Sequence, residues 1–418
     1  MVGSIYVQIA SYRDEQLPLT VADCLEKARF PDRLTFGIAW QYGHGENPDL
    51  YDHDSRFRVI KIPSQESRGA CWARSICNQA YQGEDFVLQV DSHTRFTEDW
   101  DAVIVDCWER LQNPRGVFTC YPAGFKPWEP PSEWHRVPLV IRLTSIRSDV
   151  DARPDRPHPS TPTGPWKARH FGAGFVFSTG AMVTEVPYDP SLYFRGEETS
   201  MAIRLFSHGF DLYHPDRHIC WHYYTRKDVP HHWSEVQGWE AQNSEASLRL
   251  RSLLGKGGHD LGIYGIGSVR SLADWVNYSG IDYRREILHL DVLENLPPPV
   301  DLSDPARFTS IPRHFTDLIF LDFEKLKAAK DARYWAVIVK DQHGRDLHRQ
   351  DVKRKEFPEL FDGSLEELEI GFDYYPPKRI PSSVTIAPMG KNGWMPFVSF
   401  PIGEVLVCGP RGLSLCEF

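Results

Sequence analysis

The first 120 residues switch between short apolar runs and longer stretches whose apolar positions have helical spacing. Four short runs predict buried strands, at 5–10, 34–40, 57–62 and 86–90. The stretches at 17–30 and 69–81 place apolar residues on one helical face. Strands that alternate with helices are typical of a parallel α/β sheet.

This pattern is interrupted once and later changes character. Residues 124–167 are rich in proline, which predicts a long irregular segment. Such a segment is either a substrate-facing lid or a plain surface excursion. Helical spacing returns at 199–207 and 233–254. After Pro297-Pro298-Pro299, β-type runs and hairpin-type turns follow. The pattern predicts an α/β domain over 1–296 and a β-rich, sandwich-like domain over 300–418.

Composition narrows the class of protein. The chain has 418 residues, of which 41% are hydrophobic and 25% charged, as in ordinary globular proteins. Its formal net charge of -10 disfavours a nucleic acid or an anionic membrane as partner. No apolar run has the length of a membrane span, and the first residues resemble a strand more than a signal peptide. Eight cysteines without a C-x-x-C pair are expected to be reduced, which predicts a cytoplasmic location.

The strand predicted at 86–90 ends in Asp91-Ser92-His93. Ligands of open α/β sheets bind just beyond the carboxyl ends of the strands. Asp91 and His93 are two residues apart, so both point to the same side if the chain stays extended. An oxygen ligand with an imidazole suits an ion such as Mn²⁺, which usually serves to hold a diphosphate. The alternative is that Asp91 starts a turn and His93 is a surface residue.

Two further motifs carry candidate chemistry. His222 lies in an aromatic, β-prone run with Arg226 four residues later. It is either a third metal ligand, with Arg226 clamping phosphate, or a hydrogen-bonded histidine of a half-buried strand. Glu197 and Glu198 follow Gly196 at a predicted helix start. They either face sugar hydroxyls or an acceptor, or merely favour the helix dipole.

A fourth motif runs from Glu66 to Arg74. Gly69 would let the backbone approach a ligand at a helix start, where amide groups favour anions. The alternative is a tightly packed helix with a solvated Arg74. The chain has no G-x-G-x-x-G, Walker-type lysine, G-x-S-x-G or C-x-x-C signature.

Taken in order, these motifs resemble retaining nucleotide-sugar transferases of GT-A type. The resemblance is strongest to glycosyltransferase family 60, polypeptide α-N-acetylglucosaminyltransferases whose founding activity modifies hydroxyproline of a cytoplasmic protein. It covers roughly the first 290 residues. The matching segments are Ile5–Arg13, Glu66–Arg74, Leu88–Phe96, Trp100-Asp101, Gly172–Phe175, Val186–Pro190 and Phe194–Glu198.

A more distant similarity links the chain to the mucin-type polypeptide GalNAc-transferases. They share an Asp-Ser-His strand end, a Gly-Glu helix start and a later metal-binding histidine. Glu198 stands where that family has Asn, so its sugar and acceptor contacts need not transfer. Residues 300–418 show no three-fold repeat of a lectin-like β-trefoil, so the resemblance does not cover their role.

The resemblance implies transfer of N-acetylglucosamine from UDP-GlcNAc to a hydroxyl, with retention, on a protein or peptide acceptor. Mn²⁺ or another divalent ion would be held by Asp91, His93 and His222, and Glu197 and Glu198 would be the catalytic pair. The residues expected to line the donor site are Ala10, Ser11, Tyr12, Arg13, Gly69, Arg74, Asp91, Ser92, Gly174 and Arg226.

Several alternatives stay open at this point. The donor could carry another sugar, and the acceptor could be a glycan or a small molecule. The chain could also be a non-catalytic sugar-nucleotide-binding protein. A metal-dependent phosphohydrolase would require more clustered carboxylates than the sequence shows.

Overall fold

A computed structural model provides the coordinates of the chain. It describes residues 3–146, 152–159, 166–194, 196–225, 229–230, 232–235, 238–320, 331–362, 367–374 and 379–402. The chain forms two compact units. The first comprises residues 1–144 and 149–309, and the second comprises residues 145–148 and 310–418.

The strands of the chain up to residue 310 are mostly short. They are β1 Ile5–Tyr12, β2 Leu34–Tyr42, β3 Phe57–Pro63, β4 Phe86–Asp91, β5 Thr94–Phe96, β6 Gly116–Thr119, β7 Ala123–Gly124, β8 Leu139–Ile146, β9 Ala152–Pro159, β10 Trp166–Lys167, β11 Phe175–Thr179, β12 Asp211–His214, β13 Cys220–His222, β14 Ile281–Asp282, β15 Ile287–His289 and β16 Phe308–Ser310. The helices are α1 Leu17–Glu26, α2 Ala70–Gln79, α3 Trp100–Arg110, α4 Ala181–Glu185, α5 Glu197–Ser207, α6 His232–Glu235, α7 Trp239–Leu253, α8 Leu272–Ser279 and α9 Leu290–Leu293.

An eight-stranded sheet organises the first unit, in the order β10-β12-β6-β11-β4-β1-β2-β3. Strands β4, β1, β2 and β3 are parallel, as the alternation of strands and helices predicts. Strand β11 enters between β4 and β6 and is antiparallel to both, so the whole sheet is mixed. The parallel order brings the carboxyl ends of β1 and β4 side by side, with Ala10 opposite Asp91.

Both faces of the parallel strands are covered, which explains their nearly continuous apolar runs. On one face, Ile9 and Val90 belong to a core cluster with Val21 of α1 and Trp100 of α3. On the other face, Ala39 of β2 packs with Ala73 and Cys77 of α2. The strand ends at the carboxyl edge are therefore fixed by packing on both sides.

Two helices start at glycines that no other residue replaces without strain. Gly69 precedes α2 with φ 95°, and a Cβ there would lie 2.2 Å from the Tyr193 carbonyl oxygen. Gly196 precedes α5 with φ 79°, and a Cβ there would lie 2.2 Å from Leu250 Cδ2. Positive φ and close approach both require glycine.

The proline-rich segment is more regular than its sequence predicts. Residues 124–167 contain the eight-residue strands β8 and β9, so the prediction of a wholly irregular segment is wrong. Strand β9 carries Pro154, Pro157 and Pro159 and lies at the edge of its sheet. Proline is tolerated at an edge because the missing N–H is not needed by a second neighbour.

The second unit is rich in strands. Its described elements are β17 Arg313–Phe320, β18 Tyr334–Asp341, β19 Asp346–Lys353, β20 Glu367–Tyr374, β21 Pro381–Gly390, β22 Gly393–Trp394, β23 Val398–Pro401 and the helix α10 Pro358–Asp362. Strand β18 pairs with β19 and β21, and β17 pairs with β20, all antiparallel. Trp335, Val337 and Ile386 are among its core residues. The predicted domain limits at 296 and 300, and the sandwich arrangement, stay predictions.

In the described part of the chain, no helix combines the length and the hydropathy that crossing a membrane requires.

Candidate functional site

Three side chains meet at the carboxyl edge of the parallel strands. Asp91 ends β4, and His93 lies in the turn before β5. Strand β13 pairs antiparallel with β5, which places His222 opposite Thr94. One ligand atom from each of Asp91, His93 and His222 lies within 4.8 Å of the others, and the two imidazole centroids are 4.5 Å apart. The three residues predicted as metal ligands are therefore brought together.

Asp91 is held in its ionised form. Its Oδ1 accepts a hydrogen bond from Arg74 Nη2 at 2.9 Å, and its Oδ2 lies 3.1 Å from His222 Nε2. Burial by itself raises the pKa of Asp91, but the hydrogen bond with His222 and the charge of Arg74 outweigh it and hold the pKa well below its usual range. The carboxylate is a ready oxygen ligand at neutral pH.

A residue that the sequence analysis missed orients His93. Asp14 Oδ2 lies 2.7 Å from His93 Nδ1 and accepts a hydrogen bond from Ser92 Oγ at 2.6 Å. Asp14 is only 3% exposed. A carboxylate on one ring nitrogen fixes the tautomer and presents the other nitrogen, Nε2, as ligand. Asp14 follows the end of β1, which is the parallel neighbour of β4. This position in the sequence could have identified Asp14 as a site residue.

Arg74 links Asp91 to Glu197. Its Nη1 donates to Glu197 Oε1 while its Nη2 donates to Asp91. Arg74 is buried, so the interpretation of a solvated arginine is wrong. Burial raises the pKa of Glu197, and the charge of Arg74 opposes that shift. One cation thus lies between two carboxylates, which compensates much of the cost of burying them.

Glu198 points to a different set of partners. Its Oε1 accepts from the Ala173 amide at 3.0 Å, and its Oε2 accepts from the Tyr121 hydroxyl. Gly174, the next residue, lies against the candidate metal ligands Asp91, His93 and His222, which we call the metal-candidate cluster. A Cβ on Gly174 would be 3.1 Å from Asp91 Oδ2. Glu197 therefore connects with Asp91 through Arg74, whereas Glu198 reaches the backbone beside Gly174.

The end of β1 is covered by α6. Tyr12 donates from its hydroxyl to Glu235 Oε2 at 2.7 Å, and Arg13 forms an ion pair with the same carboxylate. Burial, with the hydrogen bond to Glu235, raises the pKa of Tyr12. Ser11 is fully buried, with its carbonyl accepting from Gln41 Nε2 at 3.2 Å.

The single helix predicted at 233–254 is two helices, α6 and α7.

Of the predicted donor-site residues, Arg226 lies outside the described residues. Ala10 is paired in register with Asp91, and Ser92 contacts Asp14. Gly69 lets α2 start against Tyr193, whose carbonyl accepts from the Ala70 amide at 3.0 Å. These placements put the predicted residues around one edge of the sheet.

A protein-family model described as Glycosyltransferase (GlcNAc) matches residues 4–55 and 50–285, about two thirds of the chain. The chain belongs to this glycosyltransferase family. It is therefore a sugar-transferring enzyme by family, and the metal-candidate cluster lies within the matched region. A search of curated protein sequences finds no significant match.

The glycosyltransferase is distantly similar to several solved structures. GalNAc-T7 with UDP, GalNAc and Mn²⁺ is 13% identical, with a TM-score of 0.49, over 94% of this chain and 70% of that one. TarS 1-349 of S. aureus in complex with UDP-GlcNAc is 13% identical, with a TM-score of 0.39, over 62% and 68%. The mannosyltransferase PcManGT of Pyrobaculum calidifontis with GDP-Man and Mn²⁺ is 10% identical, with a TM-score of 0.40, over 63% and 67%.

Proposed function

We propose that this glycosyltransferase is a retaining enzyme of GT-A type that moves N-acetylglucosamine from UDP-GlcNAc to a hydroxyl of a protein or peptide, as in family 60. The observation that carries the proposal is the convergence of Asp91, His93 and His222 at the carboxyl edge of the sheet, within the region that the family model matches. Ligand sites of open α/β sheets lie at this edge.

The donor set fits a divalent ion such as Mn²⁺. One carboxylate and two imidazoles suit a borderline divalent metal, and Asp14 already orients the ring of His93. Held by Asp91, His93 and His222, such an ion would stabilise the negative charge that develops on the departing UDP.

The protein's side chains would position the ligands of the ion, the donor sugar and the acceptor. Arg74 keeps Asp91 and Glu197 in place by bonding both. Glu197, at the first position of α5, would contact the donor sugar or orient the acceptor. Glu198 would support Glu197 by holding the Ala173 backbone, whose amide donates a hydrogen bond to it. The acceptor proton would pass to the departing phosphate oxygen, so no dedicated protein base is required.

The nucleotide would lie along the ends of β1 and α2. Ser11, Tyr12 and Arg13 would contact uridine and ribose, with Ala10 and Gly69 shaping the backbone beside them. Ser92, Arg74, Gly174 and Arg226 would complete the site on the phosphate and sugar side. Glu235 bonds both Tyr12 and Arg13. We propose that a bound nucleotide replaces Glu235 as the partner of these two side chains.

The test of the metal role is UDP binding by calorimetry, with and without Mn²⁺. Mn²⁺ should tighten UDP binding, and His93→Ala or His222→Ala should remove most of that gain, on the order of 100-fold in affinity. His53→Ala is the matched control, since His53 is an exposed histidine. Equal UDP affinity in EDTA and in Mn²⁺ would contradict the proposal.

A donor panel measured in the same way tests the sugar. UDP-GlcNAc should bind more tightly than UDP-glucose, UDP-galactose and UDP-GalNAc, and should be slowly hydrolysed when Mn²⁺ is present without acceptor. Preference for another sugar would reassign the donor. Binding without any hydrolysis or transfer would favour a non-catalytic sugar-nucleotide-binding protein.

We also propose a cytoplasmic location. The described cysteines at 24, 71, 77, 107, 120 and 220 are free and buried, as suits a reducing compartment. Imaging of the tagged full-length chain tests this, and an oxidising compartment as its residence would contradict it.

A further inference from the structure

The segment Val186–Pro190 carries part of the resemblance but has no role in the proposed reaction. It follows α4, and Tyr188 within it is only 2% exposed. The guanidinium of Arg74 lies over the ring of Tyr188, with 5.8 Å between Cζ and the ring centroid. Arg74 also bonds Asp91 and Glu197. Tyr188 therefore packs against the buried charges of the candidate site.

A buried glutamine holds the hydroxyl of Tyr188. Gln89 lies on β4, two residues before Asp91, and is 1% exposed. Its Nε2 donates to the Tyr188 hydroxyl oxygen at 2.9 Å and to the Ala173 carbonyl at 2.6 Å. Its Oε1 accepts from Gln8 Nε2 at 2.7 Å, across the parallel pair of β1 and β4. These three bonds fix the orientation of the Gln89 amide.

One of the groups that Gln89 bonds leads to Glu198. The Ala173 carbonyl accepts from Gln89, and the Ala173 amide donates to Glu198 Oε1 at 3.0 Å. The two side chains thus bond opposite ends of the same residue. Gln89 fixes the backbone to which Glu198 is bonded.

The other group, the Tyr188 hydroxyl, leads to Glu197. Because the Tyr188 oxygen accepts from Gln89, the hydroxyl hydrogen is available for the Glu197 carboxylate. Burial raises the pKa of Glu197, and both the charge of Arg74 and hydrogen bonding by Tyr188 oppose the rise. Gln89 is therefore connected with both glutamates at the start of α5.

Gln89 is a polar residue inside an otherwise apolar strand segment, 86–90. Burying an amide costs free energy unless its hydrogen bonds are made. An apolar side chain of similar size would fill the same space without that requirement. What the amide adds is a fixed direction for the two groups that it bonds, since bonded polar groups in a buried network hold one arrangement.

We propose that Gln89 and Tyr188 are positioning residues that hold Glu197 and Glu198 in place for the transfer reaction. The inference rests on the proposed function, in which Glu197 contacts the donor sugar or orients the acceptor. Gln89 and Tyr188 are too deeply buried to touch the substrates themselves. Tyr188 acts on Glu197, and Gln89 acts through Tyr188 and the Ala173 backbone.

The first test is Tyr188→Phe, which removes the hydroxyl and keeps the ring beside Arg74. Hydrolysis of UDP-GlcNAc in Mn²⁺ should fall about 10-fold in turnover, because a small misplacement of a reacting group is costly, while KM changes by less than about twofold. Tyr6→Phe is the matched control, since Tyr6 is fully buried and its hydroxyl donates to the Cys77 carbonyl at 2.6 Å. Unchanged turnover in Tyr188→Phe, or an equal fall in Tyr6→Phe, would overturn the proposal.

A second test asks whether Tyr188 acts through Glu197. In a chain that already carries Glu197→Gln, adding Tyr188→Phe should lower turnover by less than about twofold, because residues that act as a unit are not additive. A further 10-fold fall would overturn the proposal. Gln89→Met keeps the volume and removes both donated bonds, so its turnover should fall at least as far as that of Tyr188→Phe. Unchanged turnover in folded Gln89→Met would exclude Gln89.

The inference and the proposed function fail in different measurements. Absence of hydrolysis and transfer by the unaltered chain would overturn both of them. Full turnover by Glu197→Gln would also overturn both, because Glu197 would then have no role for Tyr188 to support. Reduced turnover in Glu197→Gln with full turnover in Tyr188→Phe would leave the proposed function standing and overturn only the positioning role.

Discussion

One carboxylate decides which nitrogen His93 presents to the site. Asp14 lies 2.7 Å from His93 Nδ1, and the same oxygen accepts from Ser92. A metal ligand held in this way depends on the carboxylate behind it, because the bond fixes both the ring orientation and the tautomer. Asp14 is thus a positioning residue for the proposed metal ligand.

Asp14→Asn should weaken Mn²⁺ binding by about 10- to 100-fold, because the amide holds the imidazole less strongly. The measurement is Mn²⁺ titration of the purified chain, followed by electron paramagnetic resonance. Asp101→Asn is the control: Asp101 is also buried but accepts from the backbone amides of Arg29 and Phe30. Unchanged Mn²⁺ affinity in a folded Asp14→Asn chain would show that Asp14 does not contribute to metal binding.

Glu197 tests the catalytic proposal at the same scale. Glu197→Gln keeps the shape and removes one of the two carboxylates that Arg74 bridges. Turnover should fall while UDP affinity stays near that of the unaltered chain, if Glu197 acts in the transition state. If Glu197 only supports the fold, the variant loses stability and not turnover, because Arg74 then has one buried carboxylate partner fewer. Unchanged turnover in a well-folded variant would exclude the catalytic role.

At the scale of elements, strand β12 carries a histidine whose two bonds require the neutral form. His214 donates from Nδ1 to the Thr119 carbonyl at 2.8 Å and accepts at Nε2 from the Ile141 amide at 3.3 Å. Protonation of Nε2 would break the second bond. Burial accordingly lowers the pKa of His214 from 6.5 to about 4.

This shift makes stability depend on pH in a definite direction. Between pH 4 and 6.5 the unfolded chain binds more protons at this position than the folded chain, so stability falls as the pH falls. Acidification from pH 7.5 to 5.0 should cost about 2 kcal/mol through His214 alone. In urea unfolding at both pH values, His214→Gln should shrink the difference by about that amount, and His53→Gln should not. An undiminished difference in His214→Gln would show that another group is responsible.

At the scale of the whole molecule, the two compact units divide near Thr309. We expect a truncated chain that ends at Thr309 to keep UDP and Mn²⁺ binding but to lose transfer to the native acceptor, because the second unit carries no predicted metal or nucleotide motif. Calorimetry and an acceptor assay measure the two properties, and circular dichroism shows whether the truncated chain folds. Full transfer by the folded truncated chain would show that the second unit is dispensable. Loss of UDP binding would place part of the donor site in that unit.

The sequence by itself determined the elements whose patterns are local. The strands at β1 to β4 and the helices between them follow from apolar spacing, since β1, β2 and β4 are buried on both faces. Asp91 and His93 were predictable because a polar pair at the tip of such a strand stands out from the pattern. The resemblance then connected His222 with them, although 128 positions separate His93 from His222.

Only the tertiary structure decided what depends on contacts between distant segments. The antiparallel entry of β11 and the strand pairing in the proline-rich segment come from neighbours that no local pattern specifies. Asp14 and Arg74 acquire their positions in the same way, because parallel register and helix packing bring them to His93 and Asp91. A charged side chain in the sequence does not reveal whether water or another buried charge will surround it. The packing of the sheet and helices around a side chain determines its surroundings. For Arg74, which could have been a solvated residue, that packing gives a buried position between the carboxylates of Asp91 and Glu197.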